Sequence, residues 1–179
     1  MTGHEKVEIG GPALIDPTAR LIKPDLITIG TGSRIDSFAL ITAGPGQVVI
    51  GRYVHVAAGV YIFGTAGVEI GDYVNLSGRV ILYSTADDFT DGSLAGPLVP
   101  EHVRKVTASP VTIERHALIG AGSIILPGVT LGMGCAVGAL SLVDRDVAPR
   151  ELVAGIPIRR IGERGHERLE RLDNAIETE

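Results

Sequence analysis

Aliphatic residues recur at every sixth position along much of this chain. The clearest run leads from Ile113 to Val143, and a glycine often follows the aliphatic residue directly, as at Gly120, Gly132 and Gly138. A period of six matches neither the 3.6 residues of a helical turn nor the two-residue alternation of a long strand. It predicts short strands joined by tight turns, in which every sixth side chain points into one narrow interior.

The same spacing, interrupted by pauses, extends back to Ile9. It groups the chain into six-residue repeats, or hexads, and three hexads make one coil. There are six coils, with Ile, Leu or Val at every inward position. Stacking of each coil on the next would fill a hollow prism with branched aliphatic side chains. The inward positions are Ile9, Ile15, Leu21, Ile29, Ile35, Ile41, Ile50, Val56, Ile62, Ile70, Leu76, Leu82, Ile113, Ile119, Ile125, Leu131, Val137 and Val143.

Every pause in the spacing follows the third hexad of a coil. Three pauses are short, and the fourth is a long insertion over residues 83–112. All four excursions should therefore leave from the same corner of a triangular cross-section. An insertion of this length in a compact repeat domain is usually functional.

The regular spacing stops near Pro149, and the composition becomes charged from residue 163. We therefore divide the chain into a β-helix domain, residues 1–162, and a short amphipathic C-terminal helix, residues 163–179. The apolar residues at helical spacing in the second segment are Leu169, Leu172 and Ile176.

Composition narrows the class of protein. The chain has 179 residues with 45 % hydrophobic content, which suits one domain, and its net charge of −5 argues against a nucleic-acid partner. It has neither a leader-like apolar segment nor an apolar run long enough to span a membrane, so we expect a cytoplasmic protein. The single cysteine, Cys135, lies four residues after the inward Leu131, in a second column of small side chains that also points inward, and packing is its expected role.

The run Ile119-Gly-Ala-Gly-Ser-Ile-Ile-Leu-Pro-Gly-Val-Thr-Leu-Gly, the long insertion and the closing Ala154-Gly-Ile-Pro resemble the left-handed β-helix acyltransferases. The resemblance is strongest to the branch that acetylates sugars. It implies a left-handed parallel β-helix that works as a homotrimer, with acetyl-CoA and the acceptor in the cleft between neighbouring prisms. The implied activity is transfer of acetyl from acetyl-CoA to a hydroxyl of a sugar or nucleotide-sugar, in surface polysaccharide biosynthesis.

The resemblance also implies binding residues for the coenzyme. By position, Ala121 and Ala139 would offer backbone groups to the pantetheine arm. Arg159, or its neighbour Arg160, would bind the phosphates of CoA, because a guanidinium pairs well with phosphate oxygens. No metal is expected.

Attack of a hydroxyl on a thioester benefits from a general base. Sugar acetyltransferases of the maltose and galactoside type carry their catalytic histidine where this chain has Asp87, followed by Asp88. Either one of these acids is the base, with its pKa raised by burial or by the other carboxylate, or an imidazole comes from elsewhere.

Two of the five histidines lie on the coils and should face outward. His55 should stack on Asn75 of the next coil, and His116 lies in the column of Tyr53 and Tyr73. Surface packing is the alternative role for both histidines. His102 lies on the insertion, whereas His4 and His166 lie outside the coils.

The corners that carry His55 and Asp87 should be roughly 15 Å apart within one chain, from about five strand residues. We therefore expect a composite site in the trimer, with Asp87 or Asp88 from one subunit and His55 and Asn75 from the next. His55 is the preferred base, and Asp87 either orients it or binds the acceptor. His116 is a further candidate for substrate binding.

Other functions remain open at this stage. An N-acetyltransferase for a nucleotide-linked amino sugar is the main alternative, since a neutral amine attacks without a strong base. Arg104 and Lys105 on the insertion are candidates for binding a nucleotide diphosphate. A scaffold without catalytic activity, or a zinc carbonic anhydrase with three converging imidazoles, would also use this type of prism.

Overall fold

The computed structural model of the chain describes residues 8–10, 13–165, 167–169 and 171. Short strands and tight turns make up most of it, as the six-residue period predicts. The strands are β1 (Glu8–Gly10), β2 (Leu14–Ile15), β3 (Arg20–Ile22), β4 (Ile27–Gly30), β5 (Arg34–Ile35), β6 (Leu40–Ala43), β7 (Val48–Ile50), β8 (His55–Val56), β9 (Tyr61–Gly64), β10 (Val68–Ile70), β11 (Asn75–Leu76), β12 (Ile81–Tyr83), β13 (Thr85–Asp87), β14 (Val106–Ala108), β15 (Val111–Ile113), β16 (Leu118–Ile119), β17 (Ile124–Ile125), β18 (Thr130–Leu131), β19 (Ala136–Val137), β20 (Leu142–Val143), β21 (Glu151–Ala154) and β22 (Arg159–Glu163).

Three sheets form the faces of a triangular prism. The first face has the order β1-β4-β7-β10-β15-β18, the second β2-β5-β8-β11-β16-β19-β21-β22, and the third β3-β6-β9-β12-β17-β20. Strands one coil apart pair in parallel, and inward residues lie opposite each other, as Ile35 does to Val56 and Ile41 to Ile62. The predicted parallel β-helix of six three-hexad coils is confirmed.

The core is a set of aliphatic columns inside this prism. From Ile29 onward, every predicted inward residue is at most 3 % exposed, whereas Ile15 and Leu21 in the first coil are half-buried. A second set of small side chains fills the corners, including Ser33, Ser123 and Cys135, each 0 % exposed. The packing role expected for Cys135 is thus confirmed, and burial raises the pKa of its thiol to about 12.

The glycines after inward residues allow neighbouring coils to approach closely. A Cβ added at Gly120 would lie 2.4 Å from the backbone nitrogen of Ala139. No side chain fits at that distance, so the close turn-to-turn approach requires glycine.

The excursions leave from one corner, between the third and the first face, as the spacing predicts. A 3-10 turn, Pro24–Leu26, fills the first of them. The long insertion begins and ends as an antiparallel hairpin of β13 and β14, with Asp87 opposite Val106, and contains a second 3-10 turn, Glu101–Val103.

The solenoid continues beyond Pro149, where the repeat was predicted to stop. Val147 forms a bridge with Leu131 and is 2 % exposed, and Val153 pairs with Val137, so a partial seventh coil follows. The six-residue spacing did not predict this coil, because Val147 comes only four residues after Val143.

Strand β22 turns back antiparallel to β21 and ends at Glu163, one residue inside the predicted C-terminal segment. Residues 167–169 and 171 are helical, and the side chain of Leu169 lies beside Gly134 at the edge of the sixth coil. The boundary after residue 162 stays a prediction, and His4, His166, Leu172 and Ile176 lie outside the described residues. Within the described part of the chain, no helix is long and apolar enough to cross a bilayer.

Candidate active site

The outer surface of the second face changes character along the prism. Residues that flank the inward positions point outward, because successive side chains of a strand alternate. In the early and middle coils these residues are mostly polar: Arg34, Asp36, His55, Asn75 and Ser77. In the late coils they are mostly small: Gly120, Ala136, Gly138 and Ala154. We call these two regions the polar cluster and the small-residue strip.

His55 lies at the centre of the polar cluster. Its Nδ1 is 2.9 Å from Oδ1 of Asn75, so the predicted contact between these residues is confirmed. Its Nε2 is 2.9 Å from Oδ2 of Asp36, whose other oxygen accepts a hydrogen bond from Arg34. The hydrogen bond from His55, followed by the one from Arg34, lowers the pKa of Asp36 below its ordinary value.

Asp36, and not Asp87, is therefore the carboxylate that orients His55 within one chain. Asp36 was not among the predicted site residues, although its position in the repeat carries a signal. Asp36 directly follows the inward Ile35, so it points outward from the same face as His55, one coil earlier.

A second cluster surrounds Asp87 at the corner that carries the insertion. The hairpin walls a groove of about 510 Å³, whose lining includes Tyr83, Asp87, Phe89, Arg104 and Leu126. Asp87 and Arg104 are both half-buried and both line this groove, and Nη1 of Arg104 donates a hydrogen bond of 3.3 Å to the carbonyl of Gly96. Arg104, an open candidate at the sequence level, thus lies in the same groove as the predicted catalytic acid.

Asp88 has a different environment from Asp87. One of its oxygens accepts hydrogen bonds from the backbone and hydroxyl of Thr90 and from the backbone of Asp91, and the other lies 2.8 Å from Nζ of Lys105. The contact with Lys105, followed by those with Thr90, lowers the pKa of Asp88 strongly. These contacts favour a structural role for Asp88 in the insertion over the predicted role of a base, and they engage Lys105 as well.

His116 lies in an aromatic ladder at the corner between the first and second faces. Its ring stacks on Tyr73 at 5.2 Å, and Tyr73 stacks on Tyr53 at 5.3 Å. Burial, followed by the charges of Arg115 and Arg164, lowers the pKa of His116. The predicted column of three rings is confirmed, and it favours packing over the predicted substrate contact for His116.

The predicted coenzyme-binding residues lie along the late coils. Ala121 and Ala139 are exposed beside the small-residue strip, and neither backbone N–H donates a hydrogen bond to another described residue. Arg160 is near Glu151 and Glu163, at 3.9 and 3.7 Å. Arg159 is exposed and forms no ion pair within the part of the chain that the structure describes.

The segment before Arg159, residues 155–158, is held to the last coil by two contacts. Arg145 donates a hydrogen bond of 2.8 Å to the carbonyl of Ile158, and the hydroxyl of Ser141 accepts one from the backbone of Gly155. The structure therefore joins His55 with Asn75 and Asp36, and Asp87 with Arg104, on different parts of one prism. Among the described residues, no group of three or more His, Cys, Asp or Glu is arranged to hold a metal ion.

Comparison with known proteins identifies the repeat and its relatives. Residues 110–143 match a family model described as the hexapeptide repeat of succinyl-transferase. The chain is 38 % identical to the dTDP-4-amino-4,6-dideoxy-D-glucose acyltransferase of Escherichia coli, over 90 % of this chain and 84 % of that protein. It is 30 % identical to the galactoside O-acetyltransferase of Escherichia coli K12, over 85 % of this chain and 71 % of that protein.

The structure also resembles that of a serine-to-cysteine mutant of AntD, an N-acyltransferase from Bacillus cereus, in complex with dTDP-4-amino-4,6-dideoxyglucose and coenzyme A. The TM-score is 0.91 at 34 % identity, over 97 % of this chain and 91 % of that chain. The predicted left-handed coil is confirmed by this similarity, and so is the prediction of an enzyme that transfers acyl groups to sugars. The chain belongs to the hexapeptide-repeat family of sugar acyltransferases.

Proposed function

We propose that this enzyme transfers an acetyl group from acetyl-CoA to an amino group of a nucleotide-linked sugar. The observation that carries the proposal is a groove lined by one acidic and one basic residue, Asp87 and Arg104, both half-buried. A nucleotide-linked amino sugar has the complementary charges, an amine and a diphosphate. The 38 % identical relative is named for such an acceptor, which supports the same choice.

In this proposal, Arg104 binds the diphosphate and Asp87 accepts a hydrogen bond from the acceptor amine. A guanidinium donates paired hydrogen bonds to phosphate oxygens, and a carboxylate favours a nearby ammonium or amine donor. Asp88 and Lys105 support this site by fixing the insertion, through their contact of 2.8 Å.

Acetyl-CoA would lie along the small-residue strip. The absence of side chains beyond Cβ there lets the pantetheine arm reach the backbone beside Ala121 and Ala139, which are exposed and whose N–H groups donate to no other described residue. Arg159 would bind the CoA phosphates, with Arg160 as its neighbour. Along the column of Gly120 the strip leads to Ser77 of the polar cluster, so an arm of suitable length would bring the thioester there.

A homotrimer would bring the two clusters together. From the second coil onward the outer surface of the third face is mostly apolar, with Leu40, Tyr61, Ile81, Ile124 and Leu142 along one column of residues. Burial of such a surface against another copy is favourable. Head-to-tail contacts between two different faces, repeated by rotation, close a ring of subunits. A neighbouring second face packed at this surface would place His55 and Asn75 near Asp87 of the first subunit.

Within this composite site, His55 would be the general base. As the acceptor nitrogen attacks the thioester carbonyl carbon, its proton passes to the imidazole. The carbon–sulfur bond then breaks, and the departing thiolate takes that proton from the imidazolium. The cytoplasm, where CoA thioesters and nucleotide-linked sugars are used, is the proposed location, and surface polysaccharide biosynthesis is the proposed role.

Steady-state kinetics with acetyl-CoA and a dTDP-linked 4-amino sugar would test the acceptor groove. Asp87→Asn should lower kcat about 100-fold, because the acceptor amine is then no longer aligned for attack. Arg104→Gln should instead raise KM for the nucleotide-sugar about tenfold, as for loss of a charged hydrogen bond. Near-normal constants for both variants would contradict the proposal.

Transfer to a sugar hydroxyl is the second candidate, favoured by the similarity to the galactoside O-acetyltransferase. A panel that pairs each amino sugar with its hydroxyl counterpart, with thiol release as the readout, separates the two. Faster release with the hydroxyl acceptors would identify an O-acetyltransferase.

A further inference from the structure

Two side chains of different chemistry hold the two ring nitrogens of His55. Nε2 lies 2.9 Å from Oδ2 of Asp36, and Nδ1 lies 2.9 Å from Oδ1 of the Asn75 side-chain amide. A carboxylate that is ionised only accepts hydrogen bonds, so the nitrogen that faces it must carry a proton. An amide has both a donor and an acceptor end, so it can serve a nitrogen in either protonation state.

The surroundings of Asp36 keep it ionised. Its side chain is 20 % exposed and accepts hydrogen bonds from both Arg34 and His55. These two donors lower its pKa. Asp36 therefore remains an acceptor throughout the neutral pH range.

The surroundings of Asn75 are compatible with both orientations of its side-chain amide. The other end of the amide contacts the hydroxyl of Ser77 at 3.3 Å. A hydroxyl both donates and accepts, so Ser77 satisfies Asn75 in either orientation. In the orientation shown, Asn75 accepts from a protonated Nδ1 through its oxygen, and after a flip of the amide it donates to a bare Nδ1 through its nitrogen.

We infer that Asp36 is a positioning residue that holds His55 in the tautomer protonated at Nε2, so that Nδ1 is the nitrogen that gains and loses protons. The catalytic meaning of this assignment rests on the proposed function. Asp36 lies one coil before His55 and Asn75 one coil after it, toward the small-residue strip. The exchanging nitrogen thus faces the end of the prism where the thioester would arrive.

The assignment gives the proposed reaction a defined proton route. The proton of the attacking amine passes to Nδ1, which creates an imidazolium with Nε2–H still bonded to Asp36. The adjacent carboxylate stabilises that cation. When the carbon–sulfur bond breaks, the thiolate of CoA takes the proton from Nδ1, and the starting tautomer returns.

Nuclear magnetic resonance of the full-length protein with 15N-labelled histidine reads the tautomer directly. The His55→Gln variant identifies the signals of His55. At alkaline pH, where the ring is neutral, the wild-type protein should show a protonated Nε2 and a bare Nδ1. Asp36→Asn should give a mixture of tautomers, because an amide no longer requires a donor, and Asp36→Glu should restore the single form.

Asp16→Asn is the matched control. Asp16 occupies the corresponding outward position one coil earlier and accepts hydrogen bonds from Thr18 and Ser37. This variant should leave the His55 signals unchanged. A wild-type ring protonated at Nδ1, or at both nitrogens in alkaline solution, would overturn the inference, and so would an unchanged tautomer in Asp36→Asn.

Kinetics separate this inference from the proposed function. Asp36→Asn should lower kcat about tenfold, because the His55 ring protonated at Nδ1 is inactive and the imidazolium loses its carboxylate partner. KM for acetyl-CoA should stay unchanged. Asp36→Glu should recover part of the rate. If the tautomer is as expected but His55→Gln turns over normally, the catalytic role of His55 fails while the assignment of Asp36 holds.

Discussion

Single residues in this protein take their properties from their place relative to the prism. Cys135 and His55 differ by burial: the thiol is 0 % exposed in a corner column, whereas the imidazole side chain is 42 % exposed on an outer face. Burial disfavours the charged form of a thiol. The cysteine is accordingly a packing residue, and the histidine is free to act in chemistry.

The raised pKa of Cys135 predicts a dependence of stability on alkaline pH. In the folded protein the pKa is about 12, above the unfolded value, so the contribution to stability is present at neutral pH and is lost as the pH rises toward 12. Above pH ~8.5, the free energy of unfolding should fall by up to about 1.4 kcal/mol per pH unit from this group.

Urea unfolding of the wild type and Cys135→Ala between pH 8 and pH 10 measures this effect. The advantage of the wild type over the variant should shrink as the pH rises. Parallel pH curves for the two proteins would show that Cys135 does not titrate in this way.

At the scale of elements, strand length and turn geometry repeat because each coil must match the next. The strands of the faces are two to five residues long, and their inward residues lie opposite each other in successive coils. Positions where coils come closest have no room for a side chain. Departures from the repeat are confined to one corner, where an insertion such as the β13–β14 hairpin leaves the stacking intact.

Gly120→Ala should destabilise the protein because its Cβ would meet the backbone nitrogen of Ala139 at 2.4 Å. Overpacking of this kind costs about 1–3 kcal/mol. Chemical denaturation followed by circular dichroism measures the loss.

Gly165→Ala is the matched substitution, since an added Cβ there meets nothing within 4 Å. Its free energy of unfolding should stay within about 0.5 kcal/mol of the wild type. Equal losses in the two variants would mean that the approach of the coils is not what requires glycine at position 120.

At the scale of the whole molecule, one chain does not bring the proposed catalytic groups together. His55 bonds to Asp36 and Asn75 on the second face, while Asp87 lies in the groove of the insertion. A trimer that packs the third face of one copy against the second face of the next would complete three such sites.

Mixing of two inactive variants tests this arrangement. If His55→Gln and Asp87→Asn chains are unfolded together and refolded, each mixed trimer should contain one intact site. Random assembly of equal amounts then gives about a quarter of the wild-type rate, from a ring of three unlike interfaces. Refolding each variant alone gives the baseline, and no recovery in the mixture would contradict the composite site.

A surface substitution provides a control for the interface itself. Tyr61 on the third face and Val49 on the first face are each 40 % exposed. Tyr61→Glu should prevent both trimer formation and complementation, because it places a charge in the apolar contact. Val49→Glu should affect neither, as measured by light scattering and by the same assay.

Much of the fold could be predicted because the six-residue period is a direct consequence of a narrow core. The inward columns, the shared corner of the excursions and the stack of Tyr53, Tyr73 and His116 follow from counting along the chain. The partial seventh coil could not be counted, since the spacing shortens to four residues before Val147. Handedness came from resemblance and not from the period.

The candidate site was predictable only in part. The sequence located His55, Asn75 and Asp87 as outward polar residues, because alternation along short strands decides which side chains face solvent. It did not decide their partners. Hydrogen-bond partners depend on distances between coils and on side-chain rotamers. In the folded chain, Asp36 contacts His55 and Lys105 contacts Asp88.

The sequence by itself determined the prism, its core and the corner that carries the insertion, because a repeated local pattern needs no knowledge of distant contacts. Only the tertiary structure decided which charged groups share a space. Residues some 20 positions apart, such as Asp36 and His55, become neighbours only when the coils stack, and Arg104 reaches the groove of Asp87 only when the hairpin closes.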